Sequence, residues 1–167
     1  MVSNRKRITA EGFGFGLIAG VIVLAAEIVA SAVATGMPGA PLRSWASLVL
    51  GCHALDSSLG TTCLAGLVVE LVVSGLLGLL YAQFEWLLPA EARRHYGWQI
   101  GMGVVYAGLA WIAGLALAVG TRVFPWLATM TPLRDLVLES VFSGGALGLM
   151  FAAAERRTPL LVTPSFG

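Results

Sequence analysis

The chain has 167 residues, of which 57% are hydrophobic and 11% charged, with a formal net charge of +1 and a mean hydropathy of +0.86. Soluble domains carry roughly a quarter charged residues, so this balance excludes an ordinary water-soluble domain. A net charge this small, with no basic stripe and no interleaved aromatics, excludes a nucleic-acid binder. What remains is a chain whose solvent is lipid.

Residues 1–10 form a short polar head with Arg5, Lys6 and Arg7. Gly12 to Thr35 then runs 24 residues with a single charge, Glu27. About 20 helical residues cross the ~30 Å hydrocarbon core, so this run is long enough to span. Ala32-Val33-Ala34 imitates a small-residue cleavage site, but signal h-regions are only about 7–15 residues long, which favours a retained first helix. Residues 36–62 form the longest connection, an outer loop opened by Gly-Met-Pro-Gly-Ala-Pro. It holds a short apolar patch from Trp45 to Leu50 that lies in the interface or dips back as a re-entrant turn. The second span is 63–84. A polar connector follows, with Arg93, Arg94 and His95, and with Trp86 and Trp98 at its ends as interfacial anchors. The third span, 97–120, carries no charge. A turn with Arg122, Pro125 and Trp126 leads to the fourth span, 133–154, and the tail 158–167 reads as disordered.

The expected fold is therefore all-α, a single transmembrane domain over 1–167 built as a bundle of four membrane helices. With the N-terminus in the cytoplasm, seven basic residues (Arg5, Lys6, Arg7, Arg93, Arg94, Arg156, Arg157) lie inside and three (Arg43, Arg122, Arg134) outside. That excess predicts N-in, C-in topology.

Spans two and four echo one another. Leu67-Val68-Val69-Glu70-Leu71-Val72-Val73-Ser74-Gly75 returns as Leu136-Val137-Leu138-Glu139-Ser140-Val141-Phe142-Ser143-Gly144, identical at six of nine positions. After one inserted residue the echo continues, Gly78-Leu79-Leu80-Tyr81-Ala82 against Gly148-Leu149-Met150-Phe151-Ala152, and Glu85 against Glu155. Gly12 and Gly16 answer Gly97 and Gly101 more faintly. The expectation is two tandem two-helix repeats in parallel orientation, related by an axis along the membrane normal.

The pattern with most chemical content is Glu-x-x-x-Ser, present as Glu27/Ser31, Glu70/Ser74 and Glu139/Ser143. Residues four apart share a helix face, and glycines on the same faces (Gly12, Gly16, Gly20, Gly78) mark close helix approach. The glutamates are thus expected to face neighbouring helices, at one level in the outer half of the membrane. Three carboxylates meeting there cannot all stay charged and unpaired, since one charged acid near the centre costs about 3 kcal/mol. Either one or more is protonated, or Arg43 and Arg134 from the repeated Pro-Leu-Arg fold in, Arg43 to Glu139 and Arg134 to Glu70. Two uses of the cluster stay open: a structural polar clasp, or a proton or cation site.

Cys52 and Cys63, eleven residues apart, lie on the predicted outer side. They form a disulfide there, or Cys63 is a small packing residue. Four spans with outer cysteines resemble the quinone-coupled disulfide oxidases in outline, but that family depends on two cysteine pairs and this chain has one. His53 and His95 fall on opposite sides of the membrane and cannot share a metal; a loop pair of His53 with Asp56 and a headgroup contact for His95 are the simpler readings. No metal site, cofactor motif, phosphate loop or nucleophile elbow is legible. Glycine-rich spans in tandem two-helix units resemble those of small bacterial membrane proteins, which implies the cytoplasmic (inner) membrane. The expected function is a non-enzymatic scaffold, accessory subunit or homo-oligomer, with the bilayer and other membrane subunits or itself as partners. The alternative is a small proton- or cation-coupled transporter or channel using Glu27, Glu70 and Glu139.

Overall fold

The computed structural model describes residues 2–54, 57–85, 87–120 and 132–157. Every element among them is helical, and four helical stretches are long and apolar enough to cross a membrane: Thr9–Thr35, Leu59–Glu85, Tyr96–Leu117 and Leu133–Arg157. The chain is a multi-pass integral membrane protein.

Helix α1 (Val2–Thr35) begins well before the apolar run and takes in the basic head, whose Arg and Lys are good helix formers. Gly36, at φ 71°, ends it in a left-handed conformation that a side chain would disfavour, its N–H returning 3.0 Å to the Ala32 carbonyl. The loop patch is a helix, α2 (Ala40–Leu50), opened by Pro41, whose missing N–H costs nothing in the first turn. It packs mainly against α3 (Leu59–Glu85). Short α4 (Ala90–Arg94) leads into α5 (Tyr96–Gly120). The N–H of Trp98 donates to His95 Nδ1 at 3.3 Å, so His95 caps α5. The fourth span is broken into three: α6 (Pro132–Leu138), a π turn (Glu139–Gly144) and α7 (Gly145–Arg157).

Two pairs of helices, α1 with α3 and α5 with the fourth span, form the bundle, and α1 also packs on the π turn and α7. Backbone meets backbone in both pairs. A Cβ added at Gly16 would run into the Ser74 carbonyl and lie 2.9 Å from Gly75 Cα; one at Gly78 would strike the Gly12 carbonyl. In the other pair, one at Gly103 would meet the Gly144 carbonyl, and one at Gly148 the Gln99 carbonyl. Such approach supplies the van der Waals contact that holds helices together where lipid removes the hydrophobic drive. The close packing does not follow the faint match of Gly97 and Gly101 with Gly12 and Gly16. Gly101 has nothing within 4 Å and Gly97 only the His95 ring, while the close contact on α5 falls at Gly103. The fourth span's own glycines, 144 and 148, lie opposite that position.

Between the pairs sits an aromatic core. Tyr81, buried with Ala19, Ala82, Leu147 and Phe151, has its ring 5.2 Å from Phe151 and 5.1 Å from Tyr106. The outward surface is aliphatic: Val29, Val33, Leu64, Leu109 and Leu117 are all exposed. In water that girdle would be an aggregating patch; in a bilayer it is the wetted face. Of the expected interfacial tryptophans, Trp98 is exposed, and Trp86 lies outside the described residues, as do Arg122, Trp126 and the tail 158–167.

Candidate functional site

Glu27 of α1, Glu70 of α3 and Glu139 at the first position of the π turn come together inside the bundle. Each lies within electrostatic range of the other two. Their exposures are 9%, 0% and 6%, so none is turned to acyl chains. Glycine makes this room: a Cβ on Gly20 of α1 would stand 2.6 Å from Ser74 Cβ and 3.5 Å from Glu70 Oε1.

Each carboxylate has a neutral polar neighbour. Ser74 Oγ donates to Glu70 Oε1 at 2.8 Å, one helical turn along. Ser143 stands at the same i, i+4 spacing from Glu139 within the π turn, close enough to interact with it. Glu27 departs from the pattern. Its polar neighbour is the Trp45 indole of α2, while Ser31 Oγ donates to the Met37 carbonyl at 2.9 Å, fastening the loop after α1. The second oxygens of Glu27 and Glu70 are buried without a hydrogen-bond partner.

Arg134 lies near Glu27, but its ion pair is with its neighbour Asp135, two contacts of 2.9 Å from Nε and Nη2 to Oδ1. The reciprocal pair with Glu70 is not the arrangement found: a carboxylate one residue away on the same turn is reached without burying the guanidinium. Arg43, on α2, is half-buried. Cys63 is half-buried near the start of α3; the Cys52 side chain and Asp56 lie outside the described residues, and the pairings expected of them lie there too.

A second polar group, at the opposite end of the bundle, was legible only as the echo of Glu85 in Glu155. Tyr81 donates to Gln99 Oε1 at 2.8 Å, and Gln99 Nε2 donates to Glu85 Oε1 at 2.9 Å. Arg93 of α4 closes the end with a 2.9 Å ion pair to Glu155. Gln99 and Tyr81 are both fully buried. Their partners come from other helices, so no spacing in the sequence marks them. Trp45 went unread for the same reason.

Among the described residues no three histidine, cysteine or acidic side chains are grouped to hold a metal ion. No protein-family model matches the chain, and neither the curated proteins nor the solved structures contain a significant match.

Proposed function

We propose that this protein is a non-enzymatic membrane scaffold, an accessory subunit or a homo-oligomer of the inner membrane. Its two helical hairpins are tandem repeats in parallel orientation, with both termini cytoplasmic, and its carboxylate cluster clasps the pairs together. The observation that carries this reading is the contrast between inside and outside. Interior polar groups are largely committed to one another, while α5 leaves Gly101 and Gly114 uncovered on the bundle surface, the kind of surface a neighbouring membrane helix packs against. Light scattering of the protein extracted in mild detergent tests it. The expected species is several copies of the 17.4 kDa chain, or the chain with another membrane protein in fixed ratio; a stable, monodisperse single chain contradicts it.

A small proton- or cation-coupled transporter is the second reading, favoured by the donorless oxygens of Glu27 and Glu70. Glu70→Gln and Glu139→Gln separate the two. Each replaces a carboxylate by a neutral group of the same shape. Intact assembly with lost ion flux into liposomes supports transport, and lost assembly supports the clasp.

A further inference from the structure

Glu70 is completely closed off from the surface, and its Oε2 has no hydrogen-bond donor. Glu27 Oε2 is in the same position, and Glu139 lies within electrostatic range of both. Neutral groups meet only part of the cluster's acceptor capacity: Ser74 donates to Glu70 at 2.8 Å, and Trp45 from α2 and Ser143 from the π turn stand near Glu27 and Glu139. The charges facing it from α6 are Arg134 and Asp135, which pair with each other. A buried acidic cluster with open acceptor oxygens and no committed cation calls for a positive ligand.

The size of that ligand follows from the grouping of the carboxylates. Hard metal ions draw several oxygens together, six to eight for calcium and near-octahedral six for magnesium, and no such grouping exists among the described residues. A proton needs one oxygen to hold it and at most one to accept from it. We propose that Glu27, Glu70 and Glu139 form a proton-binding site, with the exchangeable proton carried on Glu70 or Glu27. Uptake makes one carboxyl O–H bond and release breaks it, the proton passing to or from water with no other reactant. This inference rests on the second reading above and names its ligand.

Dicyclohexylcarbodiimide, an apolar reagent that enters bilayers and reacts with protonated carboxyls, tests it on the full chain in liposomes, with adducts located by peptide mass spectrometry. The expected result is an adduct on Glu70 or Glu27 whose rate of formation falls about tenfold per pH unit above a transition, with sodium or calcium at constant pH giving no protection. Glu27→Gln displaces the Glu70 profile along the pH axis, and Glu91→Gln, at an exposed position of α4, leaves it in place. Absence of any adduct in the cluster over the whole pH range overturns the proposal, as does protection by a metal ion at constant pH. The first two arms use the unaltered protein, so a variant that fails to fold does not blunt them. Labelling without proton flux upholds the site and removes transport, whereas flux with metal protection upholds transport and removes the proton.

Discussion

Deleting Gly145 leaves the bundle folded, whereas deleting Leu149, four residues further along the same span, unfolds it. The reason lies in the π turn. On α3 the buried face carries Glu70, Ser74, Gly78, Tyr81, Ala82 and Glu85, which is Glu followed by positions +4, +8, +11, +12 and +15. The fourth span buries Glu139, Ser143, Gly148, Phe151 and Ala152, which is Glu followed by +4, +9, +12 and +13. One residue too many lies between Ser143 and Gly148. In a regular α-helix it would turn everything after it by about 100°. The π turn at Glu139–Gly144 absorbs it, as single-residue bulges do within α-helices. Removing Gly145 lets the turn relax to α-helix with both halves still facing inward. Removing Leu149 suits neither register: with the π turn kept, Phe151 and Ala152 swing off the core, where lost packing of a buried aromatic alone costs about 3–5 kcal/mol, and with it relaxed, Leu147 takes the place of Gly148 against the Gln99 backbone. Thermal unfolding of the two deletion variants in detergent, followed by circular dichroism, checks the contrast.

A second large effect is expected at Gly148. Gly148→Leu destabilises the protein by about 3 kcal/mol or more, because its Cβ would meet Gln99 and Ile100 backbone atoms, which have no rotamer to escape into. It also displaces Gln99, whose side chain joins Tyr81 to Glu85. Gly101→Leu, two residues beyond Gln99 on α5, meets nothing within 4 Å and leaves the unfolding temperature of a single chain unchanged or slightly raised, since leucine is the better helix former. If Gly101→Leu instead lowers the mass of the extracted particle, the uncovered face of α5 is the contact between copies or with a partner.

These two contrasts mark what could be read in advance. Spans were legible because twenty apolar residues have few alternatives in a chain so poor in charge, and the structure moves their ends by only a few residues. Burial of Glu27, Glu70 and Glu139 was legible from the glycines sharing their faces. The inserted residue after Gly144 was visible as a slip in the echo, but a slip does not say whether the helix kinks, unwinds or widens. Gln99 was invisible for a different reason. One neutral polar residue in an apolar run carries no periodic signal, and its meaning depends on Tyr81 and Glu85 arriving from another helix. The repeated Pro-Leu-Arg suggests a symmetric pair of Arg134 with Glu70 as one of two resolutions, and symmetry carries no sign of Asp135, the nearer carboxylate that Arg134 pairs with. The sequence echo also stops short of identity where it matters: Tyr81 brings a hydroxyl to the core, and Phe151, at the echoing position, brings none.

Carboxylates from α1, α3 and the fourth span meet inside the bundle, and cross-linking reads that meeting without intermediate steps. In a chain with Cys52 and Cys63 replaced by serine, Glu27→Cys with Glu139→Cys is treated in membranes with a short bifunctional thiol reagent and analysed by mass spectrometry. An intramolecular link between positions 27 and 139 is expected, and none when Val29→Cys, on the exposed side of α1, replaces Glu27→Cys. A link that forms from position 29 but not from 27 would place Glu27 toward lipid and rule out the buried cluster.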